Sequence, residues 1–496
     1  MATYQRPGVY VEESLTALAP SVGSTSNTVA AFIGANNRGP EAATLVTSWS
    51  DYVSKYGSWN GNNKLPIAVK LFFDNGGSAC YVKRVAVGTT KKAASRKLND
   101  GGATPVDIVK IEAANVGFWG NNVFVTVTNS AVTGRKDVRV SYPDVNTTVE
   151  SFTDLTFTNP ADARYGVNFI NSRSKYIVAT SESLTAQPAN TASPAALAGG
   201  HDGTLADDIT ATQLVDATVA FDTVFNSLVL NVPGVTDAEN VSTLLDYAEA
   251  REDVFVVIDP KEGSAQDQLD LAATYPQSSY GAVYFPNVTI ADPTVTTSGA
   301  VRVASPSGAI LGLYSTTDAS RGVFKAPAGT TSRLAGVVSA PVLTNDELNK
   351  LNSATHPVNP VKYVAGSGFV VMGARTLKPG YVDRYIPVRR SLIYLRKSLT
   401  DITQYAVFEP NDPVLWRSLN ATVSAFLTDF WSQGGLRGDT PTEAFFVKCD
   451  DELNTLAVID EGQVIMEVGV ALQRPAEYVI IRIGQFDGGA TVTVTA

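Results

Sequence analysis

The stretch Arg6-Pro7-Gly8-Val9-Tyr10-Val11-Glu12-Glu13 constrains this chain more than any other. Proline followed by glycine excludes a helical period, and the run behind it sets Val9 and Val11 on one side of an extended segment. Too little chain precedes it to supply a neighbouring strand. Its backbone donors and acceptors are therefore expected to pair elsewhere, with this protein's own sheet or with that of a neighbouring subunit. The second arrangement builds polymers. The opposite end repeats the pattern. Asp487-Gly488-Gly489 reads as a hinge, and Ala490-Thr491-Val492-Thr493-Val494-Thr495 alternates strictly, with Val492 and Val494 on one side. Residues 1–20 and 487–496 are expected to be extended arms. Val9, Tyr10 and Val11, and Val492 and Val494, are their candidate inter-subunit contacts.

A chain of 496 residues exceeds one ordinary core, so several domains are expected. The 39 Gly and 25 Pro favour many turns and a substantial β component. A formal net charge of −10 argues against broad nucleic-acid binding, which needs clustered Lys and Arg. Cys80 and Cys449 form no C-x-x-C pair; two buried free thiols are expected, with a Cys80–Cys449 disulfide as the alternative. No signal-peptide h-region and no long apolar run occurs, so the chain is expected to be made in the cytoplasm, with no membrane span and no membrane insertion.

Along the chain, Thr28–Gly34, Pro66–Phe73 and Ala79–Val85 read as strand, helix and strand. From about residue 104 to 180 short alternating segments take over, at Val123–Val127, Val138–Val140, Phe152–Phe157 and Tyr176–Val178. The α/β character returns with strands at Leu228–Gly234 and Val254–Pro260 and a helix over Asp237–Glu252. Asp412 and Pro413 read as N-cap and first position of a helix ending at Gly434-Gly435. Leu415, Leu419, Val423, Phe426, Leu427, Phe430 and Trp431 form its apolar stripe. A core helix and a helix packed on another chain both fit that stripe. Ala444–Cys449, Val464–Leu472 and Glu477–Ile483 read as three further strands.

Reactive constellations are not apparent. His201 lies beside Asp202 in a glycine turn and His356 precedes Pro357; no G-x-S-x-G elbow occurs. No zinc spacing, P-loop or dinucleotide fingerprint is present. No catalytic residue, metal or cofactor is expected. One charge feature departs from the acidic background: Arg375, Lys378, Arg384, Arg389, Arg390, Arg396 and Lys397, opposed only by Asp383. It reads either as an internally paired or solvated face, or as a basic stripe meeting an acidic partner.

Several motifs occur in an order that resembles the contractile tail sheath proteins of phages, tailocins and related contractile injection systems. They are Val69–Gly77 with Cys80–Val85, Gly199-Gly200-His201-Asp202-Gly203, Ser305–Ala309, Arg321–Gly329, Gly373–Leu377, Tyr385–Ser391, Phe408–Asp412 with Trp416, and Phe426–Gly438. Phe324 stands where the family often has Trp. The resemblance implies an α/β and α+β multidomain chain. It comprises a subtilisin-like α/β core without catalytic triad (21–90 plus 205–377), a β-rich outer insertion (91–204) and a C-terminal α+β domain facing the tube (378–486), besides the arms. It implies a non-enzymatic virion structural protein that polymerises as stacked rings around an inner tail tube. Its partners would be further copies of itself, the tube, the baseplate and the tail terminator. The basic stripe, and Trp416 and Arg417 on the 413–433 helix, are candidates for the tube-facing surface. Another self-assembling shell protein and an α/β hydrolase are the alternatives.

Overall fold

In the computed structural model, residues 28–36, 38–59, 63–85, 91–202, 209–295, 297–380 and 384–477 are described. The chain enters through β1 (Val29–Ala35), whose five central residues are buried. β2 (Thr44–Val46), α1 (Trp49–Tyr56), α2 (Lys64–Asp74) and β3 (Cys80–Val85) follow. α2 is apolar nearly all round and is correspondingly buried, from Leu65 to Phe72.

A separate β-rich body comes next. It holds β4 (Ser95–Asn99), β5 (Asp107–Ala113), β6 (Phe124–Asn129), β7 (Lys136–Ser141), β8 (Thr148–Leu155), α3 (Gly166–Asn171), β9 (Ile177–Ser181) and β10 (Ala195–Ala196). Its strands form two antiparallel sheets, ordered β4-β5-β9 and β10-β6-β7-β8. Period-two alternation turns Val125 and Val127, and Val138 and Val140, into a core of its own with Ile111, Phe152 and Ile177.

The chain then resumes a strand–helix alternation: α4 (Ala211–Val219), β11 (Leu228–Asn231), α5 (Ala238–Arg251), β12 (Val254–Ile258), α6 (Ala265–Ala272) and β13 (Gly281–Phe285). Thr210, Asp237 and Ser264 cap the three helices through side-chain oxygens, which satisfies donors that the first turn leaves open. β14 (Val288–Ala291), β15 (Val301–Ala304), α7 (Ser307–Arg321), β16 (Val337–Ser339), α8 (Asn345–Ser353), β17 (Val358–Val364) and β18 (Gly368–Val371) complete this part. Eight strands make one sheet, β18-β17-β13-β12-β11-β1-β3-β2, parallel except at its two edge strands. β12 is buried throughout, as a central strand covered on both faces must be. A small sheet β15-β14-β16 adjoins. α7 crosses α2 closely because of two glycines: a Cβ on Gly308 would lie 2.2 Å from the Ala68 carbonyl oxygen, and one on Gly312 would lie 2.5 Å from that of Phe72. That close approach gives the Ser305–Ala309 motif its physical reason.

The last part contains α9 (Ile386–Thr403), α10 (Pro413–Ser432), α11 (Pro441–Ala444), β19 (Phe445–Lys448), α12 (Leu456–Asp460) and β20 (Glu467–Val470). α9 serves two cores. Ile386 and Ile393 join the large α/β core, while Leu395 and Leu399 join a second core with Val423, Leu427 and Phe430. The motif Arg321–Gly329 closes on that second core, where Phe324 meets Phe430 edge-on at 5.6 Å. The strand expected over 464–472 is confined to β20, and the one expected over 477–483 lies almost wholly outside the described residues.

Candidate assembly interface

The seven cations between 375 and 397 do not form an exposed stripe. Arg375, Arg389 and Arg390 are buried and the other four are half-buried. Arg390 makes a two-pronged contact with the Asp318 carboxylate, one arm at 2.9 Å, and lies 4.5 Å from the ring of Tyr314. Burial works against its charge, but Asp318 and the two tyrosines Tyr314 and Tyr284 leave its pKa above the ordinary value. Arg389 sits 4.6 Å over Tyr280 and donates to its hydroxyl at 3.3 Å. Arg396 pairs with Glu252 at the end of α5, and Lys397 with Asp401 at 2.9 Å. Arg375 is held by Glu477, with its Nε 2.9 Å from the carboxylate, and by the Asn352 carbonyl at 2.6 Å. Lys378 and Arg384 flank Thr376, whose N–H donates to the Arg384 carbonyl at 2.9 Å. Of the two readings of these cations, internal pairing describes Arg390, Arg389, Arg396 and Arg375, which fasten the last part of the chain to the α/β part. The physical reason is desolvation, since a buried guanidinium needs fixed acceptors and rings around it.

α10 forms as its local signals require. Asp412 accepts from the N–H groups of Val414 and Leu415 at 2.8 and 2.9 Å, and Pro413 occupies the first turn. Leu415, Leu419, Val423, Leu427 and Phe430 face inward, so the stripe is core. Trp416 is buried as well and donates its indole N–H to Asn411 at 2.8 Å. Arg417 points to the exposed side, together with Val414, Ser418, Ala421, Ala425 and Thr428. β19 and β20 pair antiparallel, Phe445 with Val470 through Lys448 with Glu467. Among the described residues no third strand joins this two-stranded sheet. Val9, Tyr10, Val11, Val492 and Val494 all lie outside the described residues.

Sequence reasoning missed a second set of contacts, at the carboxyl ends of β1 and β3. Arg84, fully buried at the end of β3, donates to the carbonyls of Asn36, Gly39 and Val116, and reaches Asp202 at 3.2 Å. Asp202 also accepts the Phe118 N–H at 3.1 Å. Burial pulls the Arg84 pKa down, opposed by Asp202 and Glu41. Arg38 lies over three rings of the β-rich body, Tyr176 at 4.2 Å, Trp119 at 5.3 Å and Tyr142 at 5.5 Å, and donates to the Ser54 carbonyl at 2.7 Å. The segment 199–202 therefore acts as a clamp, through Asp202. Open α/β sheets commonly bind ligands beyond their carboxyl ends. Here Arg38, Arg84 and Asn36, which donates to the Tyr52 hydroxyl at 2.9 Å, fill that place with the chain's own side chains.

His201 packs against Phe118, ring centres 4.6 Å apart, and its backbone pairs with that of Lys92. His356 lies elsewhere, and burial lowers its pKa. Cys80 and Cys449 are free and buried, in different cores. Burial pushes the Cys80 thiol well up and the Cys449 thiol up to about 11. Among the described residues no group of three His, Cys, Asp or Glu is placed to hold a metal ion, and no helix is long and apolar enough to cross a membrane.

Residues 384–486 match the phage tail sheath C-terminal domain family. The tail sheath protein of Vibrio phage KVP40 is 31% identical over 126 residues, which are 25% of this chain and 18% of that protein. The match thus spans less than a fifth of the curated relative's length. The fold of nearly the whole chain is that of solved sheath proteins. The sheath of an extracellular contractile injection system, PVC, in its contracted state superposes with a TM-score of 0.58 at 23% identity, covering 98% of this chain and 99% of that one. A sheath tail protein from Listeria innocua gives 0.62 at 15% identity over 87% and 90%. The C-terminal part, residues 384–486, thus carries the phage tail sheath C-terminal domain, and nearly the whole chain shares the fold of solved sheath proteins.

Proposed function

We propose that this chain is the repeating structural subunit of a contractile sheath, which assembles helically around an inner tube and shortens to drive that tube through a target cell envelope. The observation that carries the reading is the end-to-end likeness to sheath chains, including one described as contracted, joined to the tail sheath domain at 384–486. In this reading the β-rich body at 91–204 is the outer surface, the α/β part is a subtilisin-like core without its triad, and the part from 378 onward lines the lumen. The protein acts without cofactor or enzymatic step; the filled carboxyl end of the sheet supports this. Partners are copies of itself, the tube, a baseplate and a terminator, with neither nucleic acid nor membrane insertion. The subunit is made in the host cytoplasm and ends in a virion tail or a related particle.

Assembly would proceed by strand donation. The arm around Val9, Tyr10 and Val11 and the arm around Val492 and Val494 would each add to a sheet of a neighbouring copy, by main-chain hydrogen bonds. The short sheet β19–β20 is the candidate acceptor, because its described pairing uses only one edge of each strand. Each added bond is worth about 0.5–1.5 kcal/mol net. A heterologous contact that does not close on itself generates a helix. Contraction would rotate the folded bodies while the arms stay linked as hinges. The exposed side of α10, with Arg417, is the candidate for the tube. Deletion of residues 2–15 or 488–496 tests this: the expected product is a folded monomer that builds no cylinder, and cylinders of normal length from either truncation would refute the arm model.

A further inference from the structure

We propose that the rim of the small core at the start of α10 is a docking surface for a protein partner whose contacting face is basic around an apolar pocket. This small core joins Leu415, Trp416, Leu419 and Cys449 to Ala406, Ile459 and Val464. Asn411 ties its two halves together by donating to the Gln463 carbonyl at 2.7 Å. Around it three apolar side chains face solvent: Phe408 is 88% exposed, Leu456 78% and Val414 63%. Phe408 also has φ of +70°, a region that bulky residues rarely adopt. Its flanks are fixed, by Ala406 packed in the small core on one side and by the Asn411 bond on the other. The phenyl ring is therefore displayed, not stowed.

The charge around this apolar centre is mostly negative, with Arg417, one turn along α10 from Val414, as an exposed cation. Residues 439–467 contain eight carboxylates and a single lysine. That lysine, Lys448, already meets Glu452 and, at 3.8 Å, Asp450. Asp451, Glu452, Asp460 and Glu461 are exposed. Among the arginines between 375 and 397, Arg390, Arg396 and Arg375 are turned onto Asp318, Glu252 and Glu477. An apolar centre inside a mostly acidic rim favours a partner of positive charge over one of negative charge. The inference rests on the proposed function only in supposing that this part of the chain meets another protein. If that protein is the tube, its contacting surface is basic, opposite to what a basic sheath stripe would need.

The test uses the full chain, diluted below the concentration at which it assembles, and two synthetic probes, an amphipathic Lys/Leu peptide and its Glu/Leu counterpart. Calorimetric titration should show binding of the first and not of the second. Phe408→Ala, and the double reversal Asp451→Lys with Glu452→Lys, should each weaken binding about tenfold or more. The distal reversal Asp216→Lys with Asp246→Lys, on exposed sites of α4 and α5, should leave it unchanged. Equal losses from the local and distal reversals would mean attraction to net charge alone, and no loss from Phe408→Ala would remove the apolar centre; either result overturns the proposal. Electron microscopy of the same variants keeps the two readings apart. Failure of the unmodified chain to form cylinders counts against the sheath assignment, whereas intact cylinders with unchanged peptide binding in the variants count against the docking surface alone.

Discussion

Arg390 and Asp318 form one ion pair with two unequal ends. The arginine side chain is 2% exposed and the aspartate 19%, so each leaves a different debt when its partner is removed. Asp318→Ala strands a buried guanidinium and should cost about 3–5 kcal/mol. Arg390→Met leaves a carboxylate that water can reach, and should cost clearly less. Chemical denaturation of both variants checks the order; the reverse order would mean that Tyr314 and Tyr284, not Asp318, hold the charge. The thiols give a second expectation. Cys80 and Cys449 are buried and their pKa values raised, so neither should react with a thiol reagent at neutral pH in the native protein, and both should react after unfolding. These residues show where sequence reading stops. Arg84 and Asp202 lie 118 positions apart, and Arg390 and Asp318 lie 72 apart, so nothing local marks those arginines as internal. The cations could be counted in the sequence, but which way they face is decided by the fold.

Helix α10 lies at the other extreme. Asp412, Pro413, the apolar stripe and the closing glycines are all local, and each is found in the expected role. Asp412→Ala should destabilise the chain by about 1 kcal/mol, read by denaturation, while Asp412→Ser should nearly restore it. α1 offers a pH test. Asp51 accepts from the Thr47 N–H at 3.1 Å and pairs with Lys55 at 2.7 Å. Its burial raises the pKa, but the Lys55 and Thr47 contacts leave it below the ordinary 3.8. A carboxyl depressed in the fold stabilises above its unfolded value and loses that contribution as pH falls through the folded one. Amide protection in α1, taken relative to the intrinsic exchange rate at each pH, should therefore fall below pH 3.8, and Asp51→Asn should flatten this dependence. Helix α9 was legible in principle. Val388, Leu392, Leu395, Leu399 and Ile402 recur at helical spacing, but the arginines between them break the apolar character of the segment. β14, β15 and β16 are strands of three or four residues, too short for a clear period-two pattern, and β16 pairs with β14 from nearly fifty positions away.

At the scale of the whole molecule, the parts are fastened to one another by buried and half-buried cations. Arg84 and Arg38 bind the β-rich body to the α/β sheet, and Arg375, Arg389, Arg390 and Arg396 bind the C-terminal part to it. Such a body is suited to turning as a unit, which the proposed contraction requires. Asp202→Ala combined with Arg38→Ala should leave the large core folded but expose the junctions near residues 114–118 and 199–202 to limited proteolysis; unchanged protection would show that packing alone holds the β-rich body. The proposed assembly itself rests on the arms between folded bodies. Electron microscopy of the purified full chain beside the variant lacking residues 2–15 tests it most directly. Hollow helical cylinders of uniform diameter from the full chain, and dispersed monomers from the variant, are the predicted result. Cylinders from both, or dispersed monomers from the full chain at high concentration, would contradict it.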